Sequence, residues 1–183
     1  MRVKLQHMAA TVLVLSLLVC PAFAVSAFPD VDEYAEYAEA ITYVNEIGIM
    51  VGDEQGNFNP NKTVTRAEMA TIICRVLNET ENLSASAVFS DVSIIHWAYG
   101  YVSKAAELGI VNGYGNGSFG PSDNVTYEQA VTMIVRAIGW NAEIDDIEKI
   151  GGYPDGFMFL AQERGILEGI SAEKGEMLSE GPK

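Results

Sequence analysis

The chain has 183 residues, of which 11 are basic and 25 acidic, so that its formal net charge at pH 7 is −14. This balance argues against nucleic-acid binding, because that affinity comes from clustered Lys and Arg side chains. The same acidity favours a soluble surface and disfavours adsorption to anionic membranes.

The first 27 residues have the order of a secretory signal. Two basic residues lie near the start, the segment 9–19 is apolar and uncharged, and small residues follow. The apolar run is too short to cross a hydrocarbon core of about 30 Å comfortably. We therefore expect residues 1–27 to be a signal peptide, cleaved after Ala27 or alternatively after Ala24. An uncleaved membrane anchor and a lipoprotein site at Cys20 are the weaker alternatives.

Cleavage would change the charge and the cysteine content of the chain. It would leave 9 basic and 25 acidic residues, a formal net charge of −16. It would also leave Cys74 as the single cysteine, which excludes an intramolecular disulfide. Cys74 lies in an apolar helical stripe, so we expect a small core residue rather than a nucleophile.

Internal periodicity is the strongest feature of the rest of the chain. When residues 28–77 are aligned without gaps to residues 89–138, a shift of 61 positions, 15 of the 50 pairs are identical. The identical residues include glycines, a proline and aromatic residues, which help to fix the backbone geometry. We therefore predict repeated copies of one unit, at 28–88, 89–148 and, as a partial third copy, 149–183.

Each unit is predicted to be a helix, a loop and a second helix. In the first unit the helical spacing of apolar residues runs from about Tyr34 to Ile47. Gly48 follows, where the end of a helix favours a left-handed residue. The loop 48–64 is punctuated by glycines and a proline, and the second helix starts at Thr65. The predicted fold is all-α, built of tandem helix–loop–helix repeats.

The third unit begins near Gly152 and is predicted to be incomplete. Its first helix spans about residues 155–164, and the pair at 178–179 resembles the start of the second helix in the unit before. The sequence stops at Lys183, before such a helix would be complete. Because a repeat unit cannot bury its apolar face alone, we expect this unit to be weakly ordered or completed by another chain.

Several motifs in a fixed order carry a family resemblance. They read FSDV at 89–92, HWA at 96–98, GIVNGYGNGSFGP at 109–121 and VT at 125–126, with TRAE at 65–68 in the first unit. Together they resemble the S-layer homology (SLH) module, and TRAE is similar to the most characteristic tetrapeptide of that family. The resemblance extends from about Phe28 to Lys183.

The resemblance implies both a fold and a function. SLH modules usually occur in threes, pack as a pseudo-threefold helical bundle and bind secondary cell-wall polysaccharide, often pyruvylated, in grooves between modules. The implied function is non-covalent anchoring of a secreted protein to a bacterial cell wall or surface layer, with the polysaccharide and other SLH chains as partners. The alternatives are a structural module that assembles a surface layer, or the N-terminal part of a longer wall-anchored protein.

The TRAE segment also has a local structural meaning. Thr65 and Glu68 are spaced as a capping box, in which each side chain bonds the backbone N–H of the other residue at the start of a helix. Thr126 and Gln129 have the same spacing in the second unit. We expect all four to be capping residues, each stabilising its helix by about 1 kcal/mol.

Capping does not explain Arg66, because the helix dipole opposes a cation in the first turn. We predict that its guanidinium, beside free N–H groups at the helix start, holds a carboxylate such as that of a pyruvyl ketal. The alternative is a surface ion pair with an acidic residue. Tyr127 stands at this position in the second unit and could stack on a sugar. Glu180, in the third unit, would repel an acidic polymer.

Three further residues are candidate ligand contacts. Trp97 is either a platform for the face of a sugar or a core aromatic residue that closes the first helix of its unit. Asp30 and Asp91 each follow a phenylalanine by two positions. They either cap or turn the chain before the helix or line a ligand groove.

Catalysis and calcium-dependent docking find little support in the sequence. His96 is the single histidine after cleavage, no serine or cysteine has a recognisable triad context, and no metal-ligand spacing occurs. Asp30 and Asp91 are copies of one repeat position rather than an acid/base pair. The segment 53–57 offers oxygen ligands, but Gly56 is not at the sixth position that an EF-type loop needs. We therefore expect a non-catalytic protein without a metal or cofactor.

Overall fold

The computed structural model describes residues 28–83, 87–140 and 147–168. The predicted signal peptide and Glu180 lie outside these residues. Within them the protein is all-α, as the sequence predicts, and contains no strand. None of the helices in these segments is long and apolar enough to cross a membrane. The helices are α1 Ala38–Glu46, α2 Arg66–Val76, α3 Tyr99–Glu107, α4 Tyr127–Ala137 and α5 Asp155–Glu163, with a 3-10 helix at Ile147–Ile150.

Helix α1 starts later than the sequence predicts. The prediction began the helix at Tyr34, but the N–H of Tyr34 donates to Oδ1 of Asp32 at 3.0 Å. The N–H of Ala35 donates to the carbonyl oxygen of Asp32, also at 3.0 Å. These bonds hold a turn where the helix would otherwise begin, and α1 starts at Ala38. Its end agrees with the prediction, since Gly48 follows it with a φ of +74°.

The two second helices, α2 and α4, start in capping boxes. In α2 the N–H of Glu68 donates to Oγ1 of Thr65 at 3.2 Å, and the N–H of Thr65 donates to Oε2 of Glu68 at 2.7 Å. In α4 the N–H groups of Gln129 and Thr126 make the same exchange, each at 3.3 Å. Local side-chain chemistry therefore sets where both helices begin.

Consecutive units pack through their helices. Helix α2 packs against α3, and α4 packs in the same way against α5. The first contact lies in a core cluster that includes Cys74, Val102 and Phe119, all at most 1% exposed. The Sγ of Cys74 donates to the carbonyl oxygen of Tyr101 at 3.6 Å. Burial, and then the charge of Glu79, raises the pKa of this thiol to about 11. Cys74 is a core residue, as predicted.

The second and third units are related by a shift of 56 positions rather than 61. Helix α5 takes the place of α3, so that Tyr153 corresponds to Trp97 and Phe157 corresponds to Tyr101. Phe157 and Leu160 are buried in a second apolar cluster that α4 shares. The described part of the third unit therefore continues the stacking of the first two.

Candidate functional site

The start of α2 is attached to the loop that precedes α4. The N–H of Arg66 donates to the carbonyl oxygen of Asp123 at 2.9 Å, and the N–H of Ala67 donates to that of Pro121 at 3.1 Å. The sequence predicts free N–H groups here, but these two are not free, because carbonyl oxygens of the second unit accept from them. A carboxylate contact by the guanidinium of Arg66 stays a prediction.

The side chain of Arg66 is buried in the second unit, with 6% of its surface exposed. Its Nε donates to the carbonyl oxygen of Phe119 at 2.8 Å, and its Nη2 donates to that of Asn112 at 3.1 Å. The guanidinium lies 4.8 Å from the ring centroid of Tyr114 and 4.7 Å from that of Phe119. The alternative prediction of a surface ion pair is therefore wrong. Carbonyl dipoles and aromatic faces stabilise the cation that the helix dipole opposes.

A cavity of about 210 Å³ lies between the second and third units, and we call it the second groove. Helix α4 and the loop before it form most of the lining, while α2 contributes one residue from the first unit. The residues that line it are Arg66, Val111, Asn112, Gly113, Tyr114, Gln129, Thr132, Met133, Arg136 and Tyr153.

A larger cavity of about 430 Å³ lies at the equivalent place between the first and second units, and we call it the first groove. Every residue that lines the second groove, except Arg66, has its repeat counterpart in the first. The two grooves are therefore copies of one structural position. The residues that line the first groove are Met50, Val51, Gly52, Asp53, Glu54, Gln55, Phe58, Asn59, Lys62, Glu68, Thr71, Ile72, Arg75 and Trp97.

An exposed aromatic side chain stands at the same place in both grooves. Trp97 lies before α3 and is 59% exposed, and Tyr153 lies before α5 and is 55% exposed. The alternative that Trp97 is a core residue is therefore wrong. Its indole stacks on the ring of His96, with centroids 5.7 Å apart. Its use as a sugar platform stays a prediction.

The grooves differ in charge. Three acidic and two basic residues line the first groove, namely Asp53, Glu54, Glu68, Lys62 and Arg75. Among the described residues that line the second groove, Arg66 and Arg136 are charged and none is acidic. Burial lowers the pKa of Arg136, and the charge of Tyr153 partly offsets this lowering. The second groove is therefore the more positive of the two.

Asp30 and Asp91 each fasten a loop to the start of its unit. The oxygens of Asp30 accept from the N–H groups of Phe58 at 2.9 Å and Asn59 at 2.7 Å. Asp91 accepts in the same way from Phe119 and Gly120, each at 2.8 Å. Neither residue caps a helix, since the N-caps of α1 and α3 are Tyr37 and Ala98, so the helix-capping alternative is wrong. Neither lines a groove among the described residues.

The electrostatics of Asp91 follow from these bonds. Its partial burial would raise the pKa of the carboxyl, but the N–H groups of Phe119 and Gly120 and the charge of Arg66 outweigh it and hold the pKa below its ordinary value. In the first groove the pKa of Glu68 is also lowered. Burial there is outweighed by the N–H of Thr65 and by Lys62, whose Nζ lies 3.0 Å from Oε1. In both acids the surroundings therefore favour the charged carboxylate.

Tyr127 occupies the Arg66 position of the second unit but is placed differently. It is 9% exposed and belongs to the apolar cluster that contains Phe157 and Leu160. It lines neither groove among the described residues. A sugar contact by Tyr127 stays a prediction.

The oxygen-rich loop at 53–57 is organised by its own backbone. Oδ1 of Asp53 accepts from the N–H groups of Gln55 at 2.9 Å and Asn57 at 2.8 Å, and Oδ2 accepts from Nδ2 of Asn59 at 2.7 Å. Across the part of the chain that the structure describes, no group of three or more His, Cys, Asp or Glu residues is placed to hold a metal ion.

Four side chains of the second groove were not predicted from the sequence to be ligand contacts, namely Tyr114, Thr132, Arg136 and Tyr153. Thr132 and Arg136 repeat Thr71 and Arg75, so the alignment of the two units does contain a signal for them. That signal does not distinguish residues that line a ligand groove from residues that pack in the core. Both kinds of residue recur with the spacing of one helix face.

Comparison with known proteins decides the family. Residues 27–70 and 88–131 match the family model of the S-layer homology domain. The chain contains two S-layer homology domains. The two matches begin within one residue of the predicted repeat starts at 28 and 89, and SLH domains are modules of bacterial surface proteins. The protein is accordingly located at the cell surface, in the wall or surface layer of a bacterium.

Several proteins with similar sequences are named as proteins of the bacterial cell surface. The SLH chain is 32% identical over 163 residues to a cell surface protein of Thermoanaerobacter kivui. The alignment covers 87% of this chain and 20% of that protein. It is 34% identical over 140 residues to a surface layer protein of Brevibacillus choshinensis, covering 75% of this chain and 12% of that one. The SLH chain therefore spans a fifth or less of the length of these relatives. The similarity supports a role in wall anchoring or in a surface layer.

Enzymes also carry the matched segment. An amylopullulanase of Thermoanaerobacterium thermosulfurigenes is 39% identical over 112 residues, but the alignment covers 6% of that enzyme and 58% of this chain. The shared part is thus a small module of a much longer protein.

Proposed function

We propose that this chain attaches to the bacterial cell wall, without catalysis, by binding secondary cell-wall polysaccharide in the two grooves between its SLH repeats. The observation that carries the proposal is the exposed aromatic side chain at the same place in each groove, Trp97 in the first and Tyr153 in the second. The proposal includes a signal peptide at 1–27 and a partial third repeat at 149–183.

An exposed ring beside a polar groove is suited to a sugar. The C–H face of the sugar packs on the ring, while its hydroxyl groups bond to the polar groups that line the groove. Trp97 provides such a face beside the polar loop 52–55 of the first groove. Tyr153 provides it beside the loop 112–114 of the second groove.

Arg66 supports the binding of an acidic sugar in the second groove. Nε donates to the carbonyl oxygen of Phe119 and Nη2 donates to that of Asn112. These two hydrogen bonds fix the plane of the guanidinium. Nη1 donates no hydrogen bond within the described residues, so it is left for a ligand. A cation held in a fixed orientation loses little entropy when it binds a carboxylate. The pyruvyl ketal is the acidic group that the family resemblance suggests.

The experiment is a sedimentation assay of the secreted chain with purified Gram-positive cell walls. The walls are used intact and after hydrofluoric acid has removed their polysaccharide, and the released polysaccharide is added back as a soluble competitor. We expect binding to intact walls, loss of binding to stripped walls, and inhibition by the competitor. Equal binding to intact and stripped walls would contradict polysaccharide recognition.

A second candidate function is assembly within a surface layer. Ile94 and Ile95 are adjacent and exposed to 72% and 91% in the turn before α3, and exposed apolar neighbours favour a protein contact. Analytical ultracentrifugation tests this function. Concentration-dependent association that the double change Ile94→Ser and Ile95→Ser abolishes would favour assembly, whereas a monomer at all concentrations would exclude it.

A further inference from the structure

The loop between α3 and α4 contains two Asn-Gly pairs, at 112–113 and 116–117. Asparagine is one of the thermolabile residues of proteins, and it loses its side-chain amide most readily before a glycine. A glycine has no Cβ, so its backbone nitrogen can approach the preceding side chain. The same positions of the first repeat, 51–52 and 55–56, hold Val-Gly and Gln-Gly. The second repeat is therefore the one in which this chemistry is open to the chain.

The two glycines differ in how tightly the chain packs around them. A Cβ added to Gly113 would collide with the carbonyl oxygen of Ser118 and would lie 2.7 Å from the ring of Phe89. A Cβ added to Gly117 would have no neighbouring atom within 4 Å. Asn116 and Gly117 are both exposed. The second pair therefore has room for the backbone to rearrange, whereas the first pair does not.

The side chain of Asn116 is folded over the next residue. Its Oδ1 accepts from the N–H of Ser118 at 3.0 Å and from Oγ of the same serine at 2.6 Å. The ring that the first bond closes contains both Cγ of Asn116 and the backbone nitrogen of Gly117. Within the described residues that nitrogen donates no hydrogen bond. In the first repeat, by contrast, the N–H of Gly56 donates to the carbonyl oxygen of Asp53 at 3.0 Å.

The hydroxyl of Ser118 also activates the amide of Asn116. By donating to Oδ1 it draws electron density from Cγ and stabilises the negative charge that this oxygen gains when a nucleophile attacks. Attack by the nitrogen of the next residue is intramolecular, which removes most of the entropic cost of bringing the two groups together. The side chain of Asn112 accepts no hydrogen bond in the part of the chain that the structure describes. Asn116 therefore combines a free nucleophile, an activated carbonyl and an open backbone.

We propose that Asn116 is a site of spontaneous deamidation, with water as the second reactant. The backbone nitrogen of Gly117 loses its proton and forms a bond to Cγ of Asn116. The bond between Cγ and Nδ2 breaks, and the amide nitrogen leaves as ammonia with that proton, so that a succinimide ring remains. Water then opens the ring, adding its hydroxyl to a carbonyl carbon and its proton to the ring nitrogen. Cleavage of the new bond gives aspartate, and cleavage of the original peptide bond gives isoaspartate.

Both products disturb the loop. Each adds a negative charge, and isoaspartate also inserts a methylene group into the backbone after residue 116. The carbonyl oxygen of Gly117 accepts from the N–H and Oγ of Ser90 at 2.9 and 3.1 Å. The carbonyl oxygen of Ser118 accepts from the N–H of Tyr114 at 2.9 Å. Because a longer backbone changes the spacing between these acceptors, we expect isoaspartate to weaken both contacts.

The disturbance lies next to the contact between the first two repeats. Phe119 follows the loop directly, its N–H donates to Asp91, and its carbonyl oxygen accepts from Nε of Arg66. Loosening of the preceding residues therefore reaches the hydrogen bonds that join the two repeats. The chain thus contains a chemical clock that lowers its stability with age, independently of any glycan that it binds.

The test is incubation of the secreted chain at neutral pH over several days. Peptide mapping by mass spectrometry measures aspartate and isoaspartate at each asparagine. We expect Asn116 to be modified at least about tenfold faster than Asn112, which corresponds to a difference of about 1.4 kcal/mol between the two barriers. The rate should rise with pH, because the attacking nitrogen has to lose its proton. Equal rates at the two asparagines, or an unmodified Asn116, overturn the inference.

Asn116→Gln and Asn112→Gln are the matched pair of variants. Glutamine, which the first repeat has at the position of Asn116, would have to close a six-membered ring, so we expect Asn116→Gln to stop the modification there. Asn112→Gln should leave the rate at Asn116 unchanged. Ser118→Ala should slow the modification several-fold, and circular dichroism checks that each variant is folded. An unchanged rate in Ser118→Ala contradicts the part that we assign to its hydroxyl.

Urea denaturation of fresh and incubated samples measures the consequence for the fold. We expect the midpoint of unfolding to fall with incubation in the wild type and to stay constant in Asn116→Gln. An equal fall in both proteins would show that another residue causes the ageing, and a constant midpoint in a fully modified wild type would show that the loop tolerates the change. Either result overturns the clock.

Discussion

The guanidinium of Arg66, in the first repeat, lies 4.7 Å from the ring centroid of Phe119, in the second, and Nε donates to the carbonyl oxygen of the same phenylalanine at 2.8 Å. One side chain thus joins two repeats through a ring and a backbone group. Arg66 therefore has a structural role in this chain, whatever ligand contact it also makes. A loss of wall binding after its substitution has to be separated from a loss of stability.

Arg66→Ala is expected to reduce the free energy of unfolding by about 2–4 kcal/mol, because two charge-assisted hydrogen bonds and two cation–π contacts are lost. Urea denaturation followed by circular dichroism measures this change. The control is Lys62→Ala, which removes an ion pair with Glu68 whose lysine side chain is 54% exposed and should cost less than about 1 kcal/mol. Equal, small losses in the two variants would contradict the structural role.

Asp91→Asn is expected to reduce the free energy of unfolding by about 1–2 kcal/mol, because its oxygens bind the N–H groups of Phe119 and Gly120 as a charged acceptor. The pKa of Asp91 is lowered in the folded protein. Its contribution is therefore fully present above the ordinary carboxyl pKa and is lost as the pH falls through the lowered value. Acid titrations of urea stability should show that the difference between wild type and variant shrinks below about pH 4. A difference that stays constant down to pH 2 would oppose this account.

The thiol of Cys74 gives the opposite pH dependence. Its pKa is raised to about 11, so the fold favours the neutral thiol. This contribution is fully present below the ordinary thiol pKa of about 8.5 and is lost as the pH rises toward the raised value. Wild type should therefore lose more stability than Cys74→Ala between about pH 9 and 11, measured by urea denaturation. Because other groups titrate similarly in both proteins, the difference between them isolates the thiol. Parallel curves would indicate that burial does not shift this pKa.

The parts of the fold that the sequence predicts correctly depend on local chemistry. The capping boxes of Thr65 and Thr126 exchange bonds over three residues, and they place the starts of α2 and α4. A glycine with positive φ marks the end of α1. The start of α1 was missed by four residues because Asp32, itself outside the helix, holds a turn.

The parts that the sequence does not predict depend on distant partners. Arg66 finds its carbonyl acceptors 46 and 53 residues away, and Asp91 finds its donors 28 and 29 residues away. A repeat alignment shows that such positions recur but not what they contact. Each groove likewise combines an aromatic residue of one unit with the loop of the unit before it.

Trp97→Ala is expected to reduce the free energy of unfolding by about 1–2 kcal/mol, because 59% of Trp97 is exposed and only part of its apolar surface is buried. Phe119→Ala, at a position with 0% exposure, should by contrast cost about 3–5 kcal/mol.

If Trp97 is the sugar platform of the first groove, its substitution lowers wall binding several-fold in a protein that stays folded. Tyr34→Ala is the matched control for binding, since Tyr34 is 77% exposed and lines neither groove. Sedimentation with intact walls compares the two variants. Equal binding by both would remove Trp97 from the site and leave the second groove as the place where the chain meets its glycan.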